Sequence, residues 1–164
     1  MKFKDVTDVN DNILYGDLTG QTYNGDISVY NKSKKLTSLE GCPKTVNGTV
    51  SFADNNLSSL KYAPEFVTGT FDCSNNKKLT SFEGAPKTIG KYFFGEGNPL
   101  IKDPVAEVIR CGIQATRYSF GNGIFLTWED IKKDFFKYQD MKDSIKSKGF
   151  RTLLGLDKWK DLKI

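Results

Sequence analysis

The strongest constraint in this chain is a repeat. Set in register, residues 36–56 read LTSLEGCPKTVNGTVSFADNN, residues 57–78 read LSSLKYAPEFVTGTFDCSNNKK, and residues 79–99 read LTSFEGAPKTIGKYFFGEGNP, closing on Leu100. Leu36, Leu57 and Leu79 recur at intervals of 21 and 22 residues, as do Pro43, Pro64 and Pro86. The pairs Val50/Phe52, Phe71/Cys73 and Phe93/Gly95 follow at fixed offsets, and then come Asn55, Asn76 and Asn98. A unit of this length cannot bury its apolar face alone, so self-similarity at such a period signals coils stacked on one another. It points to a binding scaffold before it points to a reaction.

Within each unit the alternation apolar–polar–apolar has period two, the signature of a short strand. Gly25-Asp26-Ile27-Ser28-Val29 is a degenerate first copy of Gly48-Thr49-Val50-Ser51-Phe52 and Gly69-Thr70-Phe71-Asp72-Cys73. Four parallel strands are expected, at about 26–30, 49–53, 70–74 and 92–96. The central unit, Val50-x-Phe52-x-x-Asn55-x-Leu57-x-x-Leu60, fits the leucine-rich-repeat template. In that reading Val50 and Phe52 point inward, and Asn55 bonds backbone groups that the turning chain leaves unpaired. Leu57 and Leu60 fill the opposite wall, and Ala63-Pro64 bends the chain back.

The units LTSLEGCPKTVNG, FDCSNN and LTSFEGAPKTIG resemble the degenerate leucine-rich-like repeats of T4-like tailed bacteriophages, over residues from about 23 to 100. The resemblance implies architecture and source more than activity. This copy departs from the pattern where Val67-Thr68-Gly69 and Ile89-Gly90-Lys91 keep one glycine each. Gly95 also stands where an inward apolar residue is expected.

The flanks complete an α+β fold: a short leucine-rich-repeat-like solenoid of about three to four coils with an α-helical C-terminal subdomain. Residues 1–22, with Phe3/Val6 and Ile13/Leu14/Tyr15 around an Asp-Asn turn, read as an N-terminal cap, drawn as a β-hairpin, because an open solenoid end exposes its core. Residues 23–102 form the solenoid and 103–164 a helical cap or interaction subdomain. There, Asp103-Pro104 opens a helix over 104–112, closed at Gly112. Residues 114–126 suit a loop or hairpin. Thr127-Trp128-Glu129-Asp130 resembles a capping box, and Ile131, Phe135, Tyr138, Met141 and Ile145 mark one face of a helix to about Lys148. A short final helix over residues 150–164 would carry Leu153, Leu154 and Trp159.

Composition narrows the chemistry. The chain has no histidine, which removes the usual general base at neutral pH and every Ser-His or Cys-His nucleophile. Cys42, Cys73 and Cys111 lie at spacings that match no zinc or redox motif; Cys42 and Cys73 fall at positions held elsewhere by Ala63, Ala85, Phe52 or Gly95 and read as small core residues. Neither metal nor cofactor is expected, and no carboxylate pair has a spacing that builds a catalytic cleft. Gly121-Asn122-Gly123 is only a fragment of a phosphate-binding pattern. The start, MKFKDVTDVNDN, is unlike a secretory leader. No apolar run approaches the ~18 residues of a membrane span, so the expected setting is soluble and intracellular, the host cytoplasm if the source is a phage.

Two surfaces are candidates for binding. The outward face of the strands carries Tyr30, Ser51, Asp72, Tyr92, Phe94 and Glu96, and solenoids use such faces, expected to be concave, to hold partners. The C-terminal helices carry Trp128, Lys133, Phe136, Lys137 and Trp159. Phe135 and Phe136 cannot both face one core, which leaves one for a partner or a homodimer. Residues 127–164 hold ten basic and seven acidic side chains. That mixture, with a net charge of +4, makes nucleic acid a weaker partner than protein. The favoured expectation is a phage-encoded accessory protein, not an enzyme, that binds a host protein such as a protease or defence factor and inhibits or redirects it. The alternatives are a virion structural or assembly protein, and a nucleic-acid-binding protein that uses the basic helices.

Overall fold

The computed structural model describes residues 1–8, 10–30 and 34–133. These form a β-solenoid in which each of the first four coils contributes two short strands, one to each of two sheets. The first sheet runs β1 (Thr22–Asn24), β3 (Thr45–Asn47), β5 (Phe66–Val67) and β7 (Thr88–Ile89), all parallel. The second stacks β2 (Ile27–Ser28), β4 (Val50–Ser51), β6 (Phe71–Asp72) and β8 (Tyr92–Phe94) in parallel. It is extended by β9 (Arg117–Ser119), also parallel, and by β10 (Phe125–Leu126), which is antiparallel to β9.

The repeat solenoid is therefore as expected, but the single four-stranded sheet is corrected to two sheets. Three of the four missed strands bury one side chain, Val46, Val67 or Ile89, and β1 only half-buries Tyr23, so they show no alternation. The Pro-Lys-Thr-Val stretch does not merely bend the chain; it runs extended before the corner. At that corner the coils touch backbone to backbone: a Cβ on Gly48 would sit 2.2 Å from Gly25 O, and one on Gly69 would sit 2.6 Å from Gly48 O.

Between the sheets and the leucine wall lies one continuous core. Val50, Phe52, Phe71 and Phe93 face Leu36, Leu39, Leu57, Leu60, Leu79 and Phe82, all fully buried. The phenylalanines form a line of ring contacts along the stack: Phe3–Phe52 at 6.1 Å, Phe52–Phe71 at 6.1 Å and Phe71–Phe93 at 6.2 Å between centroids. Gly95 leaves no gap in the fourth coil. The Phe82 ring fills its place, and a Cβ on Gly95 would lie 2.6 Å from Phe82 Cζ.

The asparagine ladder forms as expected. Asn76 Nδ2 donates to Phe52 O, Cys73 O and Ser74 O at 3.0–3.2 Å, and its Oδ1 accepts from Leu57 N at 3.0 Å. Asn55 does the same one coil earlier, taking Leu36 N at 2.8 Å. Asn98 takes Asn76 N at 2.9 Å. Each carboxamide thus closes its own turn and ties it to the previous coil.

The N-terminal segment packs on the first leucine wall and contains a short hairpin between residues 6–8 and 12–14, where Asp8 N donates to Asn12 O and Leu14 N to Val6 O. Phe3–Asp5 is a 3-10 turn, and Phe3 N and Lys4 N donate to Ser38 O and Glu40 O. Residues 7 and 13 make one antiparallel bridge around the Asp8 turn. The Tyr15 hydroxyl bonds both Ser28 N and Ser28 O at 3.3 Å, occupying the free edge of β2.

At the other end the stacking does not stop at residue 102. Tyr118-Ser119-Phe120-Gly121-Asn122 repeats the course of Phe93-Phe94-Gly95-Glu96-Gly97, so residues 113–123 belong to a fifth coil whose leucine wall has been replaced by a helix. That helix, α1 (Pro104–Cys111), has the expected Asp103 cap, whose side chain accepts from Ala106 N at 2.9 Å, and ends at Gly112 in the left-handed region. Val108, Ile109 and Cys111 seal the coil. The Thr127/Asp130 capping box forms as well, opening a helical run at residues 128–133. The expected continuation of that helix to Lys148 and the final short helix lie outside the described residues.

Candidate interaction surface

The register of the second sheet sets out its outer face. Ser28, Ser51, Asp72, Phe94 and Ser119 lie side by side across five parallel strands, with Phe125 opposite Ser119 on β10. Tyr92 and Arg117 pair in the neighbouring row. The first three strands of this face are polar, and Asp72 is engaged locally, accepting from Ser74 N at 2.9 Å. Tyr30 is 61% exposed, with the Lys35 ammonium 5.3 Å from its ring centroid.

The far end of the face is aromatic. Tyr92 and Phe94 have ring centroids 6.0 Å apart, and Phe125 lies 5.7 Å from Tyr92 and 5.9 Å from Phe94. Tyr92 is 39% and Phe125 45% exposed. Three rings in mutual contact, two of them open to solvent and Phe94 half-buried, are a costly arrangement for a face with no partner. Arg117, exposed, borders the cluster, and Glu96 accepts from Ser119 Oγ at 3.5 Å on its other side.

Of the residues expected on this face, the structure brings together Tyr92, Phe94 and Glu96 and leaves Tyr30 apart, with Ser51 and Asp72 between. It adds Phe125 and Arg117. Their signal was present in Asn122-Gly123, the residues that favour a tight hairpin. Asn122 and Gly123 have φ of 61° and 67°, and the turn folds Phe125 back over the sheet. Of the second set of expected residues, Trp128 is half-buried with its ring 6.3 Å from that of the buried Tyr118, so it belongs largely to the core. Lys133 is exposed. Phe136, Lys137 and Trp159 lie outside the described residues, as does the expected homodimer contact at Phe135 and Phe136.

A second cluster joins α1 to the third leucine wall. Arg110 Nη2 donates to Glu107 Oε1 at 2.6 Å and to Ser81 Oγ at 2.7 Å, and Arg110 Nε donates to Glu107 Oε2 at 2.9 Å. Ser81 Oγ and Phe82 N also donate to Glu107. Burial pushes the Glu107 carboxyl up, but hydrogen bonds from Arg110 and Ser81 outweigh it and hold the group below its ordinary value. Beside it, burial and then the Glu107 charge push the Cys111 thiol up to about 11. Burial raises the Cys42 and Cys73 thiols too. None of the three is a thiolate at neutral pH; each behaves as a small apolar side chain. Among the described residues no group of three or more His, Cys, Asp or Glu could hold a metal ion, and no helix is long and apolar enough to cross a membrane.

The fold and this face define a short, two-sheet β-solenoid with an aromatic patch at one end of its outer face. No protein-family profile matches the chain, and no curated protein or solved structure is significantly similar to it.

Proposed function

We propose that this protein is a non-catalytic interaction module that holds a partner protein on the outer face of its second sheet. One observation carries the reading: Tyr92, Phe94 and Phe125 form a cluster of three touching rings on strands of one sheet, with Tyr92 and Phe125 open to solvent and Phe94 half-buried between them. Aromatic side chains on a fixed backbone bring large contact area at low entropic cost, and interface hot spots are enriched in tyrosine and arginine. Arg117 at the border supplies a charged rim. The resemblance of the repeats to those of T4-like phages supplies the setting: a phage-encoded accessory protein that acts in the host cytoplasm on a host protein, a protease or a defence factor, and inhibits or redirects it.

The test is capture from bacterial lysate with the full-length tagged protein at about 0.3 M salt, read by mass spectrometry. One dominant host protein is expected. Tyr92→Ala with Phe125→Ala should weaken it at least about tenfold, while the circular-dichroism melting curve stays within a few degrees of the parent. Capture that is unchanged in the double variant removes the aromatic face from the binding site. Capture of nucleic acid alone, lost steeply with salt, replaces the protein-partner reading.

A further inference from the structure

A cleft opens where the asparagine ladder ends. In each earlier coil the carboxamide of the next coil takes a main-chain donor from the one before: Asn55 takes Leu36 N, Asn76 takes Leu57 N and Asn98 takes Asn76 N. The fifth coil breaks the series. Gly123 stands at the ladder position, and the turn at residues 121–124, with Ile124 N donating to Gly121 O, carries the chain away. No carboxamide from the fifth coil reaches Asn98 as Asn98 reaches Asn76, and among the described residues the Asn98 main-chain N–H, like that of Asn55 within the stack, meets no protein acceptor.

The resulting cleft, of about 390 Å³, lies at this point. Its apolar lining comes from Phe120, Ile101, Pro99 and Pro104, and its polar groups are Asn75, Asn98 and Lys77. The volume falls in the range of small-molecule sites, which combine an apolar wall with a few convergent polar groups. The lining has one positive charge and no carboxylate. An occupant must therefore offer an acceptor to the open donor, a negative charge to Lys77 and an apolar body to Phe120.

We propose that this cleft binds an organic carboxylate whose apolar body lies on Phe120 and Ile101 and whose head group meets Lys77, Asn75 and the Asn98 N–H, where the next ladder carboxamide would sit. The carboxylate comes either from a free small acid or from the chain end of a peptide, and the proposal does not depend on the aromatic face.

The test is an amide NMR titration of the full-length protein with four probes: 3-phenylpropionate, its neutral isostere 3-phenylpropanamide, acetyl-Gly-Gly-Phe with a free carboxylate, and the same peptide amidated. Saturable shifts at Gly95, Gly97 and Phe120 are expected with a carboxylate, and about fivefold weaker binding with its amide. Lys77→Gln, a change at an exposed side chain, should weaken the acid about fivefold, and Lys77→Arg should restore it. Binding of phenylpropionate assigns the site to small acids; binding of the acidic peptide alone assigns it to chain ends. The proposal is overturned if neither acid saturates, if the amides bind as tightly, or if Lys77→Gln changes nothing.

Discussion

At the scale of single residues, the stack is held by side chains that do backbone work. Asn76 is fully buried and makes four hydrogen bonds to main-chain groups on two coils. Asn76→Ala should cost about 2–4 kcal/mol, because it strands buried carbonyls and an N–H with no route to water. Asn47→Ala removes only the exposed Asn47–Asn24 bond and should stay within about 0.5 kcal/mol; urea titration of the pair separates the two. A second column shows the opposite economy. Gly41, Tyr62 and Gly84 occupy equivalent positions with φ of 95°, 73° and 91°, so Tyr62 bears a left-handed strain that its neighbours avoid. Tyr62→Gly should stabilise by about 0.5–1 kcal/mol, net of the entropy glycine costs and the exposed Lys61 contact, visible as a higher urea midpoint. The ladder was legible because Asn55, Asn76 and Asn98 each follow an inward pair at one offset, where a carboxamide can both donate to and accept from a turning backbone. The size swap at Phe82 and Gly95 was not, since Gly95 by itself reads as a hole. Only packing shows that Leu60 with Cys73 and Phe82 with Gly95 are two ways to fill one volume. Gly95→Cys alone should cost about 1–3 kcal/mol by overpacking; Phe82→Leu in the same chain should recover much of it, and a double-mutant cycle measures the coupling.

At the scale of elements, the helix α1 is the clearest departure from the repeat, and its attachment is electrostatic as well as apolar. The Glu107 carboxyl is depressed in the folded state, so between its folded pKa and the unfolded value of about 4.3 the unfolded chain binds more protons. Its contribution is fully present above the unfolded pKa and is lost as pH falls through the folded one. Glu107→Gln should lower the urea midpoint at pH 7 and flatten its fall between pH 5 and roughly pH 3. The helix is legible in Asp103-Pro104 and Gly112 because caps are local signals. The first sheet is not, because its strands are two or three residues long and bury at most one side chain each. The fifth coil is hidden because α1 displaces the leucines that mark a coil. The aromatic patch is half legible: alternation places Tyr92 and Phe94 outward, but only the hairpin turn brings Phe125 beside them.

At the scale of the whole molecule, each coil touches only its neighbours, so stability should behave as a sum of coil and interface terms. Deleting residues 57–78 removes one full period and joins Asn56 to Leu79 in register. The shortened chain should still unfold in one transition, with an m-value reduced in proportion to the surface lost. Multiphasic unfolding would show that the coils are not interchangeable. The closures of the stack have a further consequence. The first coil ends in a phenol whose oxygen satisfies a peptide edge from the side, and the last ends in a strand that runs backwards. Among the described residues, then, neither end of the second sheet offers the bare parallel edge on which a further coil would stack, so the periodicity that builds the sheet is blunted at both of its described edges.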